Sequence, residues 1–236
     1  MNHNKHTTIL HKKHLLIDTN RGVILIDTGS PASFHKEGCI EINGRKHNVQ
    51  TSYMGVSASY ISNKIGREVS GLLGMDIINL YEMWIDVRNV SHALGEVWFF
   101  DPDESKPHKG ANVMGIPICE VEVGGNKVKL LFDTGAPISY LSDKYINCAP
   151  ICDVVRDFSP LMGGEEYSVN RHTVSTTFHG FLSGDEVHDV AYGQMPMQLS
   201  MLLNMLNVDG IIGCDLIEKF RIVVDRGELY FPPQGI

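Results

Sequence analysis

Two short segments of this sequence are nearly the same. VILIDTGSP covers residues 23–31 and LLFDTGAPI covers residues 130–138, and in each an apolar run leads into Asp-Thr-Gly, a small residue and proline. Either segment alone predicts a buried strand that ends in a tight turn. Two copies in one chain indicate a repeated structural unit.

Two further pairs of blocks extend the repeat. GLLGMDIINLYEMWIDV (71–87) matches GIIGCDLIEKFRIVVDR (210–226), and GEVWFF (95–100) matches GELYFP (227–232). Because three blocks recur in the same order, the sequence predicts a duplicated lobe rather than a coincidence of tripeptides.

The predicted domain boundaries follow from these blocks. We place the N-terminal lobe at residues 1–100 and the C-terminal lobe at residues 116–236. The segment between them, 101–115, contains DPDESKPHKGAN, whose prolines, glycine and charges are typical of a linker.

Composition and the start of the chain exclude several classes of function. The net charge of -8 argues against nucleic acid or an anionic membrane as a partner. No apolar run reaches the roughly 18 residues of a membrane-spanning helix. The polar start, 1–16, lacks a signal-peptide core, and the five cysteines are an odd number. We therefore expect a cytoplasmic protein with reduced thiols, and we interpret the histidine-rich first 14 residues as a solvated tail.

The two Asp-Thr-Gly aspartates are the candidate chemical groups. An aspartate at a strand end commonly caps a turn, and that role would explain either copy alone. Two equivalent aspartates on duplicated lobes suggest instead a two-fold axis between them, with glycine permitting close approach of the loops. Carboxyl groups about 3 Å apart cannot both ionise, so such a pair shares one proton and is acid and base at once.

At these residues the chain resembles a known family. ILIDTGS and LLFDTGA, followed by GLLGMD and GIIGCD, resemble the motifs of aspartic peptidases of the pepsin and retropepsin clan, with two retropepsin-like halves fused in one chain. The resemblance implies an all-β, bilobal fold with pseudo-two-fold symmetry and a few short helices. It implies an aspartic endopeptidase with Asp27 and Asp133 as its catalytic dyad. The supporting loop residues would be Thr28, Gly29, Ser30, Thr134, Gly135 and Ala136.

The same resemblance implies the partners. We expect a peptide or protein substrate, no cofactor and no metal, and a monomer, because both half-sites lie in one chain. Ser30 follows the first Asp-Thr-Gly and Ala136 follows the second. A Ser30 hydroxyl that donates to the Asp27 carboxylate would favour its ionised form, so we expect Asp133 to carry the shared proton.

The second lobe is longer than the first. GCIEINGRKHNV (38–49) resembles GFLSGDEVHDV (180–190), which leaves extra residues after the second Asp-Thr-Gly. We expect them to form a helix over 139–148 and then a substrate-binding flap over 158–174. The flap residues would be Met162, Gly163, Gly164 and Tyr167, with the glycines at the hairpin tip. An ordinary surface loop is the alternative.

The methionine-rich segment 195–207 shows helical spacing of its apolar residues. This spacing predicts a helix packed on the core of the second lobe, with an adaptable substrate surface as the alternative.

Two other functions stay open. The fold could serve as a catalytically silent peptide- or protein-binding module, although two intact Asp-Thr-Gly loops argue against this. LLIDTNRGVILIDTG (15–29) also resembles the opening strands of metallo-β-lactamase-fold hydrolases, but the chain lacks their His-x-His-x-Asp-His cluster.

Overall fold

The computed structural model describes residues 4–88, 94–103, 112–160, 163–179 and 184–232. Strands contain 51% of the residues and helices 14%, so the chain is an all-β protein with short helices, as predicted. The strands are β1 (Asn4–His11), β2 (His14–Thr19), β3 (Gly22–Ile26), β4 (Phe34–His35), β5 (Cys39–Ile42), β6 (Arg45–Asn48), β7 (Ser52–Tyr53), β8 (Val56–Ser57), β9 (Gly71–Leu73), β10 (Glu82–Asp86), β11 (Leu94–Phe100), β12 (Asn112–Val113), β13 (Ile116–Val123), β14 (Asn126–Phe132), β15 (Tyr140–Leu141), β16 (Ile151–Phe158), β17 (Glu166–Phe178), β18 (Glu186–Gln194), β19 (Gly210–Ile212), β20 (Ile222–Asp225) and β21 (Glu228–Tyr230). The helices are α1 (Ala58–Ile65), α2 (Met75–Ile78), α3 (Asp143–Ile146), α4 (Met197–Met205) and α5 (Cys214–Ile217).

Within the described ranges these strands form two large sheets and two short hairpin sheets. The first large sheet has the order β21-β20-β10-β11-β1-β2-β3-β9-β4, and the second has the order β12-β13-β14-β19-β15-β18-β17-β16. The second sheet curls, because β13 pairs with β17 as well as with β14. The short sheets are the hairpins β5–β6 and β7–β8.

The two halves of the chain share the first sheet. Strand β20 pairs antiparallel with β10, and Trp84 lies opposite Val223 in the register. These two residues occupy the same position in the matched blocks 71–87 and 210–226. A pairing centred on matched positions is what a two-fold axis between the halves predicts.

A second pair of contacts is reciprocal in the same way. The Lys13 ammonium, at the tip of the β1–β2 hairpin, lies 2.5 Å from the Glu218 carboxylate at the end of α5. The Asn79 side chain, at the end of α2, donates to the Gly115 carbonyl at the tip of the β12–β13 hairpin over 3.2 Å. Each half therefore contacts the other through the same hairpin tip and the same helix end.

The apolar runs before each Asp-Thr-Gly are buried central strands. Strand β3 pairs in parallel with β9, and β14 pairs in parallel with β19. Ile24, Ile26, Leu130 and Phe132 are all 0% exposed. Strands buried on both faces read as continuous apolar runs, which explains why these segments lack alternation.

The glycines of the Gly-x-x-Gly blocks have a packing role. A Cβ at Gly74 would lie 2.7 Å from the Ala32 carbonyl carbon, and one at Gly213 would lie 2.4 Å from the Ile138 carbonyl oxygen. The chain that follows each Asp-Thr-Gly therefore crosses directly over these glycines. The repeated glycine lets each aspartate loop pack on the strand that supports it.

The interpretation of the first 14 residues as a solvated tail is wrong for residues 4–14. Strand β1 lies inside the first sheet, between β11 and β2, and His14 begins β2 with only 5% of its surface exposed. Backbone pairing on both sides of β1 places this polar segment in the sheet.

Two predicted helices differ in detail from the expectation. Over 139–148 the chain first forms strand β15, and α3 then contains four residues. Helix α4 buries Leu199 and Leu203 but leaves Met197, Met201 and Met205 at 74%, 61% and 84% exposure. It therefore packs on the core through its leucines, while its methionines face solvent. None of the helices in the described ranges is long and apolar enough to span a membrane.

Candidate active site

Both aspartates sit at the ends of the central strands in equivalent loops. The Asp27 N–H donates to the Leu73 carbonyl over 3.0 Å, and the Asp133 N–H donates to the Ile212 carbonyl over 2.9 Å. Each loop closes with a turn, in which the residue after the glycine donates back to the aspartate carbonyl, over 3.2 Å in the first and 3.3 Å in the second. The two copies of the motif therefore have the same local structure.

The threonines hold the two loops together. The Thr28 N–H donates to the Thr134 hydroxyl and the Thr134 N–H donates to the Thr28 hydroxyl, over 3.0 Å in both cases. Each hydroxyl then donates to a carbonyl of the opposite half, Thr28 to Phe132 over 2.7 Å and Thr134 to Ile26 over 2.8 Å. Both threonines are 0% exposed. These four bonds fix the separation and orientation of the aspartate loops.

Each aspartate packs against the glycine of the opposite loop. A Cβ at Gly29 would lie 2.2 Å from Asp133 Cγ, and one at Gly135 would lie 2.5 Å from Asp27 Cγ. Any side chain at either glycine would displace a carboxyl group. The two carboxyl groups are also hydrogen-bonded to each other. The structure thus brings together the two aspartates that the sequence predicted as a pair, and Gly29 and Gly135 allow their close approach.

The surroundings favour a proton on Asp27. Burial raises the pKa of Asp27 well above its ordinary value, and the charge of Asp133 raises it further. Burial also raises the pKa of Asp133. Backbone N–H groups oppose the rise at both carboxyl groups, those of Gly29 and Ser30 at Asp27 and those of Gly135, Ala136 and Gly29 at Asp133. The Gly135 and Ala136 N–H groups donate to Asp133 Oδ1 over 2.8 and 3.2 Å. Asp133 is therefore the better-stabilised anion, and Asp27 donates the shared proton to it.

This assignment reverses the expectation based on Ser30. The Ser30 hydroxyl donates to the Ala32 carbonyl over 2.8 Å and accepts the Ala32 N–H. Its single proton is used within its own loop, so it provides no hydroxyl hydrogen bond to Asp27. The residue that differs between the loops supports a turn and does not select the ionised carboxylate.

A serine–aspartate pair supports each loop and was missed in the sequence. The Ser33 hydroxyl accepts the Gly74 N–H over 2.8 Å and donates to Asp76 over 2.5 Å. In the second half, Ser139 accepts the Gly213 N–H over 3.0 Å and donates to Asp215 over 2.7 Å. The available signal was a serine six residues after each aspartate, in PASF (31–34) and PISY (137–140).

The segment predicted as a flap forms a hairpin of the second half. Strands β16 and β17 pair antiparallel up to Phe158 opposite Glu166. Gly163 and Gly164 lie in the connecting turn with φ of 80° and 74°, values that suit glycine. Met162, which the sequence placed beside this tip, is outside the described residues.

Tyr167 lies opposite Asp157 in the second residue pair from the turn of this hairpin. Its hydroxyl lies 3.3 Å from the Tyr140 hydroxyl, which in turn donates to the Asp157 carboxylate. Burial raises the pKa of Asp157, and the charge of Asp133 adds to this rise. The part of the hairpin next to its turn therefore lies within electrostatic reach of Asp133.

His14 connects the dyad loop to the hairpin and was also missed. Burial lowers the pKa of His14 to about 4, against the opposing effect of a hydrogen bond to the Gly135 backbone. The imidazole ring also lies 6.4 Å, centroid to centroid, from the Phe158 ring of the hairpin. His14 is thus neutral near pH 7 and packs between the second aspartate loop and the hairpin.

The comparisons with known proteins agree with this geometry. Residues 115–224 match the family described as retroviral aspartyl protease, a segment that includes Asp133 and the hairpin. A search of curated proteins finds no match. The match covers slightly less than half of the chain and begins where the second half begins. Residues 115–224 are therefore similar to a retroviral aspartyl protease domain, which supports the resemblance to retropepsin-like aspartic peptidases.

Proposed function

We propose that this protein is an aspartic endopeptidase that hydrolyses peptide bonds with water activated between Asp27 and Asp133, in a cleft between the two halves. The observation that carries the proposal is the reciprocal contact of the loops, with Gly29 against Asp133 and Gly135 against Asp27. A capping role for an aspartate at a strand end would not explain why a second carboxyl group packs against its loop. Two such groups with raised pKa values form an acid–base pair.

In the first step the dyad adds water to the scissile carbonyl. The Asp133 carboxylate takes a proton from the water as its oxygen attacks the carbonyl carbon, and Asp27 gives its proton to the carbonyl oxygen. The product is a neutral tetrahedral diol, with the proton of the dyad now on Asp133. No charge accumulates on the substrate, so the step needs no separate oxyanion site.

In the second step the diol collapses. Asp133 donates its proton to the amide nitrogen, Asp27 takes a proton from one diol hydroxyl, and the carbon–nitrogen bond breaks. A carboxylic acid and an amine leave, and the dyad returns to protonated Asp27 and ionised Asp133. The asymmetry of hydrogen bonds at the two aspartates favours this resting state.

The architecture we propose is two retropepsin-like halves fused in one chain. The matched positions Trp84 and Val223 pair with each other, and the matched threonines Thr28 and Thr134 bond reciprocally. Because each half supplies one aspartate, a single chain holds a complete dyad, and we infer that the enzyme works as a monomer. Its partner is a peptide or protein substrate.

The hairpin of β16 and β17 is the proposed flap. It carries Phe158 close to His14 and Asp157 within electrostatic reach of Asp133. A hairpin in that position would cover an extended peptide and exclude water from the dyad during reaction.

A mixed peptide library tests the proposed function. We expect the purified protein to cleave internal bonds and pepstatin to abolish the cleavage, while a metal chelator leaves it unchanged. Cleavage that is lost on chelation would overturn the dyad mechanism in favour of a metallohydrolase. Peptide binding with no cleavage between about pH 3 and pH 8 would identify a silent binding module instead.

A further inference from the structure

Helix α1 of the first half carries two half-buried side chains beside its buried face. Ser57 caps its first turn by accepting the Tyr60 N–H over 3.2 Å. Ile61 and Ile65 are buried in a cluster with Leu16, Leu25, Phe34, Val69 and Leu72. Tyr60 and Lys64, one turn apart, are half-buried on a neighbouring face. The helix is thus anchored on the first half, and the Tyr60 ring packs against the edge of the buried cluster.

The tip of the second-half hairpin lies against this face. A Cβ at Gly164 would lie 1.8 Å from the Tyr60 hydroxyl oxygen and 3.0 Å from its ring carbon Cζ. The Lys64 ammonium lies 5.7 Å from the centre of the Phe158 ring and 5.9 Å from the centre of the Tyr60 ring, within cation–π range. The hairpin therefore bridges the two halves of the chain.

The two glycines at the tip have different surroundings. Gly163 and Gly164 have similar positive φ values, so an alanine at either position meets the same kind of backbone strain. Gly163 is exposed, and a Cβ there would meet nothing within 4 Å, whereas Gly164 is buried against Tyr60. Backbone conformation explains a glycine at both positions, but only Gly164 also needs glycine for close approach.

We propose that Tyr60 is a positioning residue that receives the hairpin tip at Gly164 and holds it over the dyad. The inference rests on the proposed endopeptidase function, because it assigns the closed position of the flap in that enzyme. Tyr60 comes from the half that does not carry the flap. Closure of the hairpin over substrate thus depends on a contact between Tyr60 of the first half and the hairpin tip of the second half.

The test compares Gly164→Ala with Gly163→Ala. The Gly163→Ala variant is the control, because it measures the effect of backbone strain alone. In the wild-type background we expect Gly164→Ala to lower kcat/KM about tenfold below Gly163→Ala, because a displaced tip positions the substrate less well. In a Tyr60→Ala background, which vacates the space that a Cβ would enter, the two glycine variants should differ by less than about twofold. Equal effects of the two glycine variants in both backgrounds would overturn the proposal.

A second readout is independent of catalysis. Chymotrypsin should cut at Phe158 or Tyr167 several-fold faster in Gly164→Ala than in Gly163→Ala, and this difference should also vanish with Tyr60→Ala. If neither the wild type nor any variant cleaves peptides but the chymotrypsin rates show this coupling, the proposed function is wrong and the positioning role of Tyr60 is supported. If peptides are cleaved but neither readout shows coupling between position 164 and Tyr60, the positioning role of Tyr60 is wrong and the proposed function is supported.

Discussion

Thr28 and Thr134 exchange hydrogen bonds across the interface of the two halves, each N–H donating to the other's hydroxyl over 3.0 Å. Since each hydroxyl also donates to a carbonyl of the opposite half, no group in this arrangement is left without a partner. The threonine of each Asp-Thr-Gly therefore fixes the position of the other half's aspartate. Changing it affects stability and dyad geometry together.

Thr28→Val tests this arrangement. Valine keeps the shape but leaves the Thr134 N–H and the Phe132 carbonyl buried without partners, which costs about 1–3 kcal/mol for each group. We expect the free energy of unfolding in urea to fall by about 2–4 kcal/mol, while Thr28→Ser, which keeps the hydroxyl, costs much less. Thr8→Val is the matched control, because Thr8 is equally buried but its hydroxyl donates over 3.4 Å to the His6 carbonyl of its own strand. A loss for Thr28→Val no larger than that of the control would contradict the role assigned to the threonines.

The pH dependence of kcat/KM should be bell-shaped. Activity needs one proton on the dyad, so the rate falls at low pH when Asp133 is protonated and at high pH when Asp27 is ionised. Burial raises both pKa values, and the charge of Asp133 raises that of Asp27 further. Both limbs should therefore lie above the ordinary aspartate pKa of 3.8. A rate that climbs steadily into alkaline solution would indicate another catalyst.

Asp27→Asn should stabilise the fold at neutral pH. Because the pKa of Asp27 is raised in the folded state, the unfolded chain loses this proton first as the pH rises. The folded protein therefore loses stability as the pH rises through that raised pKa. Asparagine cannot ionise and can still donate to Asp133. We expect a higher Tm than wild type at pH 7 and a difference that shrinks toward pH 3.8, the ordinary aspartate value. A lower Tm for the variant at pH 7 would count against a shared proton.

His14 should contribute a pH dependence of opposite sign. Its pKa falls from 6.5 to about 4 on burial, so the unfolded chain binds a proton between these values while the folded chain does not. Stability is then lost as the pH falls from about 6.5 to about 4, by roughly 3 kcal/mol in full. His14→Gln should flatten this part of the curve of unfolding free energy against pH. An unchanged slope would mean that the imidazole is accessible to protons in the folded state.

The sequence was most informative at the dyad because the signal there is local and repeated. An apolar run followed by Asp-Thr-Gly encodes a buried strand and a turn, and its second copy indicates the partner loop. Ser33 and Ser139 also recur at matched positions, but a serine alone does not indicate its hydrogen-bond partner. Each is a single hydroxyl that acts through a glycine N–H about 40 or more residues away, a contact that only the tertiary structure brings about.

The N-terminal strand and the proton assignment were missed for physical reasons of a different kind. Polar composition suggests solvation, yet β1 gains hydrogen bonds from strands on both sides, and pairing outweighs composition. The proton position depends on where one hydroxyl hydrogen points. The Ser30 hydroxyl donates within its own turn. The proton position then depends on the charge of Asp133 beside Asp27 and on the larger set of backbone N–H groups around Asp133.

The most direct test of the central claim is the cleavage rate of one good peptide substrate by Asp27→Asn and Asp133→Asn, prepared separately. Asp18→Asn is the matched control, because Asp18 lies between isoleucine and threonine as Asp27 does but is exposed near the end of strand β2. The dyad predicts that each of the two variants loses at least about a thousandfold in kcat/KM, while the control keeps the wild-type rate. If either dyad variant cleaves at a rate near that of the control, the two aspartates are not the acid–base pair of this protein.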